Sequence, residues 1–346
     1  MSRPTHLDPD REALDLLLRG FQVSRMLRLV ADLGVADKIA GDGAIPIHEL
    51  ATACAVRPEP LTRVLRALAS FLIFQISVDG HVSHSPRSRL LRTDTPNSMH
   101  HSARFWTGPG SWKAWGALDA AMTGGSPHEA AWNMSRFSYL RQHPDEARAF
   151  DAMMANFPDN RHASLAETYD FSGTRLIADI GGGNGSALRH ILSRFPTHQG
   201  VLFDREDVIS SLSVQDRMDG KIEAKGGSFF EQVPRGADVY LLVRVLHDWN
   251  DQDCLRILRS CHDAMMPGCK LLIVEQILDP DPASGRAMGY LIDTQMMAMF
   301  GDAKERTEAE FRSLLDQSGF AVTRLMPTQS PVSIIESTPI TRTGAK

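Results

Sequence analysis

Seven consecutive residues, Asp179-Ile180-Gly181-Gly182-Gly183-Asn184-Gly185, close an apolar run at 176–180 and lead into an amphipathic stretch at 187–195. Glycine is needed where backbone passes close to a ligand and a Cβ would be in the way. Asp204 ends the next apolar run, 19 residues after Gly185. A carboxylate there can accept from both ribose hydroxyls of an adenosine, as in dinucleotide-binding sheets. A nicotinamide cofactor fits less well. Its G-x-G-x-x-G fingerprint ends on Ser186 when counted from Gly181, and on Leu188 when counted from Gly183. Asp179, heading the loop, would also repel a pyrophosphate, so the loop favours a ligand with positive charge.

Placing such a loop takes a parallel sheet. Strand-like runs at 176–180, 201–203, 222–224, 239–243 and 271–274 alternate with helix-length segments, which predicts a doubly wound α/β half. Two more apolar runs, 321–326 and 332–335, follow it. The first hundred residues have a different pattern. Leu14, Leu17, Leu18, Phe21, Met26, Leu29, Val30 and Leu33 recur at helical spacing and predict one helix over 13–33, stopped by Gly34. Short helices are predicted at 47–53 and 60–71, then a hairpin over 74–78 and 81–84 that turns at Asp79-Gly80. Three helices and a wing describe a winged-helix module. The long first helix carries more apolar surface than so small a module covers, which predicts a two-fold dimer contact. We divide the chain into a winged-helix-like dimerisation domain, 1–102, and a second domain, 103–346, made of a Trp-rich helical connector and the α/β half.

Composition removes several function classes. Apolar residues at 42% and charged residues at 23% exclude a disordered chain. A net charge of −5 gives no basic field for nucleic acid. Arg63 and Arg66 lie on the helix that a DNA reader would insert, but charges across that module are about balanced, so no nucleic-acid partner is expected. No apolar run approaches the ~20 residues of a membrane helix, and the longest, at 239–246, is broken by Arg244. Cys54, Cys254, Cys261 and Cys269 form no C-x-x-C pair, which fits reduced thiols and a cytoplasmic protein. No His/Cys/Asp cluster has metal-ligand spacing, so no metal is expected.

A second reactive segment, Val243-Arg244-Val245-Leu246-His247-Asp248-Trp249, follows the fourth strand-like run. Taken in order with the glycine loop, Phe203-Asp204, Gly227-Ser228-Phe229-Phe230, Val274-Glu275 and Lys304-Glu305-Arg306-Thr307, it makes the chain resemble the caffeate/hydroxyindole O-methyltransferase-like family, in its bacterial natural-product form. The resemblance covers nearly the whole chain. It implies an α/β class I methyltransferase (Rossmann-like) sheet behind a mostly helical winged-helix dimerisation domain. It also implies S-adenosylmethionine as methyl donor, S-adenosylhomocysteine as product, no metal and a homodimer. The acceptor would be a hydroxyl of a small aromatic or polycyclic molecule.

Residue by residue, the resemblance makes His247 the general base and Glu275 and Glu305 the carboxylates that flank it. An imidazole titrates near neutrality, which suits removal of a phenol proton, and a flanking carboxylate fixes its tautomer. The cofactor positions carried over are Asp179, Gly181, Gly183, Asp204, Ser228, Phe229 and Arg244. Ser228 departs from the family pattern, which has Asp there, and brings no charge. Acceptor contacts carried over are Phe150, Met154, Phe157, Met296 and Phe300, and Asp248 beside the base could hydrogen-bond an acceptor hydroxyl. Two alternatives stand beside this reading: a ligand-sensing winged-helix regulator, and the same fold binding S-adenosylmethionine for another reaction, such as hydroxylation. The complete set of His247, Glu275 and Glu305 argues against the regulator, since a sensor needs no base.

Overall fold

The computed structural model describes residues 8–155 and 160–340, which pack as two compact units. Described residues 8–117 and 128–155 form the first unit, and 118–127 with 160–340 form the second. The packing boundary therefore lies beyond the 102/103 division read from sequence. The reason is local. Helix His100–Trp106 packs on Gly20–Asp32 and on Pro144–Ala155. Arg104 pairs with Asp32 at 2.9 Å, and its carbonyl accepts from Arg28.

The first unit opens with two helices, Pro9–Leu18 and Gly20–Asp32, in place of the single helix expected over 13–33. The apolar spacing runs through the junction, but Arg19, at φ −91 and ψ 2, ends one helix and starts the next. Pro9–Leu18 buries none of its residues, and Leu14, Leu16, Leu17, Leu18 and Phe21 lie exposed on this stretch. Helices Ile47–Ala53 and Pro58–Ser70 follow, with Leu61, Leu65 and Leu68 of the second buried. The wing is a three-stranded antiparallel sheet. His81–Ser83 pairs with Gln75–Ile76, as the hairpin requires, and on its other side with Ala44–Pro46, a strand that the sequence reading missed.

The second unit is built on one seven-stranded sheet. Its strands are β1 (Leu176–Ile180), β2 (Gln199–Asp204), β3 (Ile222–Gly226), β4 (Val239–Val243), β5 (Lys270–Glu275), β6 (Phe320–Pro327) and β7 (Ser333–Pro339). Their order across the sheet is β6-β7-β5-β4-β1-β2-β3. The five from β3 to β5 are parallel, while β7 runs antiparallel to both β5 and β6. Buried apolar clusters pack on this sheet, one built on Ala178, Ile180, Tyr240 and Leu242, the other on Ile177, Leu241 and Val243. Strand order reverses between β1 and β4, and in such sheets ligands bind beyond the carboxyl ends at that reversal. The glycine loop leaves β1 there and the His247 segment leaves β4.

Candidate active site

Past β1 the backbone takes positive φ at Gly181 (72°), Gly183 (57°) and Gly185 (76°), and Gly185 caps helix Ser186–Arg194. Gly182 is fixed by space: a Cβ there would lie 2.5 Å from the Asp179 carboxylate and from Leu202. Asp179 is fully buried, and neither of its oxygens has a hydrogen-bond partner among the described residues. Burial, and secondarily the charge of Asp204, push its carboxyl up to about 7. Asp204 lies across the loop, accepting from the Gly183 amide at 2.9 Å and the Arg205 amide at 2.7 Å. A buried, unpartnered carboxylate under a glycine loop suits a cationic ligand. Phe229 reaches the same loop, with its ring edge 3.5 Å from where a Gly181 Cβ would stand. It also meets Trp249 edge-on, at 5.8 Å between ring centroids. The Ser228 hydroxyl accepts from the Phe230 amide at 3.3 Å within its own turn.

After β4 the chain turns sharply. Arg244 has φ +55, a conformation rare for a residue with a side chain, and its amide donates to the Val274 carbonyl at 3.0 Å. Its guanidinium then bridges two buried carboxylates. Nη1 donates to Glu275 Oε2 at 2.8 Å and Glu305 Oε2 at 2.9 Å, and Nη2 donates to Glu305 Oε1 at 2.6 Å. Arg244, carried over as a cofactor position, has its guanidinium clasped by the two glutamates, and Glu305, carried over as a carboxylate flanking the base, pairs with Arg244.

The carboxylates beside the His247 ring are Glu275 and Asp248. Nδ1 stands 3.4 Å from Glu275 Oε1 and 3.3 Å from Oε2, while Nε2 stands 3.2 Å from Asp248 Oδ1. Glu275 Oε1 also accepts from the Leu246 amide at 2.9 Å. Burial and the Arg244 charge press the imidazole pKa down, but Asp248 and Glu275 outweigh them, and the net shift is upward. Glu275 sits low for the complementary reason: burial opposes its charge, and His247 with Arg244 overcomes that opposition.

Two supports of this cluster escaped the sequence reading. Asp293 accepts from the Glu305 amide at 2.9 Å, and the fully buried Arg306 bonds to the carbonyls on either side of the His247 turn. Arg306 had a signal, since it lies inside the Lys304–Thr307 motif, where only Glu305 was given a role. Helix Ala287–Phe300 packs against the His247 turn and carries Met296 and Phe300, both half-buried. Phe150 and Met154 belong to the first unit, where Phe150 packs on Phe105 at 5.1 Å and Met154 is exposed. Phe157 lies outside the described residues. Among the described residues no group of three or more His, Cys, Asp or Glu side chains converges as a metal site would require.

Comparison with known proteins bears on this geometry. Residues 115–321 match the O-methyltransferase domain family, and residues 16–94 match the O-methyltransferase dimerisation domain. The 3-amino-4-hydroxybenzoate 4-O-methyltransferase of Streptomyces cremeus is 38% identical, over 88% of this chain and 83% of that protein. The phenazine O-methyltransferase PhzM of Lysobacter antibioticus is 37% identical, over 94% of this chain and 95% of its own. The SAH-bound structure of CalO1, a methyltransferase of calicheamicin biosynthesis, superposes with a TM-score of 0.81 at 29% identity, covering 96% of this chain and 99% of that one. With both domains matched, the chain belongs to the O-methyltransferase family that joins a dimerisation domain to an O-methyltransferase domain.

Proposed function

We propose that this O-methyltransferase takes its methyl group from S-adenosylmethionine and passes it to a hydroxyl of an aromatic or polycyclic small molecule, with His247 as general base. The observation that carries the reading is the buried His247 ring, gripped at Nδ1 by Glu275 with Nε2 toward the more exposed Asp248. S-adenosylmethionine supplies a sulfonium methyl open to in-line attack. The unpartnered Asp179 suits its positive end, Asp204 would take the ribose hydroxyls, and Phe229 offers an apolar wall to the adenine.

In this reading the acceptor hydroxyl takes the place of Asp248 at Nε2 and gives up its proton there as its oxygen attacks. Glu275 then stabilises the imidazolium. Met296 and Phe300 offer apolar contact from the helix packed on the His247 turn. The acceptors named for the relatives, 3-amino-4-hydroxybenzoate and phenazine, are aromatic, which supports the acceptor class. Holding acceptor and donor in line is the larger effect, up to about 7–11 kcal/mol in well-oriented systems. The dimerisation domain and the exposed leucines of the first helix support a homodimer.

Methyl-labelled S-adenosylmethionine, incubated with the full chain and a panel of phenols, quinones and hydroxyindoles, tests the reading by mass spectrometry. Transfer of the label to an oxygen of one acceptor is the expected result. A product that gains oxygen and no methyl would replace methylation with hydroxylation.

A further inference from the structure

We propose that Arg306 is a positioning residue for the reaction: it holds the backbone turn that carries His247 by its carbonyls, while Glu275 holds the same turn by its amides. The inference rests on His247 acting as the base. Arg306 is fully buried, and its five N–H groups match five acceptor contacts. Nη1 donates to the Leu246 carbonyl at 2.8 Å and the Lys304 carbonyl at 3.3 Å. Nη2 donates to the Trp249 carbonyl and to Asp251 Oδ1, both at 2.8 Å, and Nε donates to the same Asp251 oxygen at 3.0 Å.

The turn needs such a holder. Leu246–Asp248 is one short 3₁₀ turn, entered through Arg244 at positive φ. Its remaining carbonyl partners are weak: the Cys254 thiol at 3.2 Å from the Leu246 oxygen and 3.5 Å from that of Trp249, and the Trp249 amide at 3.3 Å from the Leu246 oxygen. The grip of Glu275 on the ring is long, at 3.3 Å to 3.4 Å, so a small shift of the turn breaks it. Arg306 also pairs with Ile277 in a two-residue parallel ladder, two residues beyond Glu275. Adjacent side chains thus do separate tasks. Glu305 fixes Arg244 between the glutamates, and Arg306 fixes the turn that presents the base. A misplacement of about 1 Å at a reacting group can cost about a hundredfold in rate.

The test uses the full chain with S-adenosylhomocysteine bound and histidines isotopically labelled, the His247 signal being assigned with His247→Asn. The charged groups facing the ring are Arg244, Asp248 and Glu275, with Glu305 acting on it through Arg244. Arg306→Lys keeps the charge but cannot span the two carbonyls. Its His247 titration is expected to move down toward that of an ordinary histidine, as the ring leaves Glu275. S-adenosylhomocysteine affinity should stay within about threefold of wild type. Arg324→Lys serves as control, because Arg324 pairs with the buried Glu336 on the β6–β7 hairpin; it should lower thermal stability and leave the His247 titration in place. An unchanged titration in a folded Arg306→Lys protein would reduce Arg306 to a purely structural role and overturn the proposal. Should that variant not fold, Asp251→Asn removes the counterion of Arg306 at a half-exposed site. Amide exchange at Leu246 and His247 is then expected to quicken, and unchanged exchange overturns the proposal equally. The outcome is separable from the base assignment, which turnover of a His247 variant decides on its own.

Discussion

Replacing Asp179 by Asn should make the cofactor-free protein more stable and its cofactor affinity lower. The carboxyl is fully buried without a partner and is pushed from an ordinary 3.8 up to about 7. Below about pH 4 the group is protonated in both folded and unfolded chains and contributes no pH dependence. Between about 4 and 7 the unfolded chain has lost a proton that the folded chain keeps, so stability falls as pH rises, and above 7 the loss levels off. About three units at about 1.4 kcal/mol each give a total penalty of about 4 kcal/mol, an upper bound. Asn carries no charge and escapes it. Urea unfolding at fixed protein concentration, followed by tryptophan fluorescence from pH 5 to 8, measures the difference between the two proteins. It should widen with pH in favour of the Asp179→Asn variant, while calorimetry shows that this variant binds S-adenosylhomocysteine more weakly. A difference that stays constant over that range, or a variant less stable than wild type at pH 8, would refute the reasoning from burial.

His247→Ala should lower methyl transfer by about 10²–10⁴ while leaving cofactor binding nearly intact. Wild-type turnover of a phenol with a pKa well above the assay pH should rise with pH, through a midpoint above the ordinary histidine value of 6.5, because the net shift at His247 is upward. The Ala variant should lose that rise, and one that retained it would exclude His247 as its source. Glu275→Gln should move the midpoint down, since Glu275 touches the ring, and Glu305→Gln should move it less, since Glu305 is held by Arg244. Equal shifts from the two would contradict this pairing. Leu17→Glu, at a position 77% exposed in the single chain, should convert a dimer to a monomer in light scattering, and an unaltered dimer would place the seam elsewhere.

The buried parallel strands were the most legible part of the sequence. Val239–Val243 is buried at every position, so its five apolar residues read as one run, and its bounds were predicted as observed. The apolar run at 332–335 marks only part of β7, because Glu336, Ser337 and Thr338 continue the strand with polar side chains. Their polarity is met inside the structure: Glu336 accepts from the Tyr169 hydroxyl at 2.8 Å and pairs with Arg324. Helix 13–33 failed in the opposite direction, since periodicity reports a face and Arg19 breaks the axis without breaking the face. At the site, the motifs located His247, Glu275 and Glu305 but not their pairing. That depends on where the guanidinium of Arg244 goes from a left-handed backbone, a choice made by packing.

Strand β7 has a consequence for how the protein is made. It follows β6 in the chain yet lies between β5 and β6 in the sheet. A growing chain that has reached only Pro327 therefore presents the outer rung of β5 bare, with its amides and carbonyls open to any passing strand. The register places Ser333 opposite Glu275, so the seventh strand of this sheet in chain order is also the one that lies beside the partner of His247. A nascent or truncated chain would carry its whole glycine loop with that edge of the sheet uncovered, at the moment when it is most apt to stick to its neighbours.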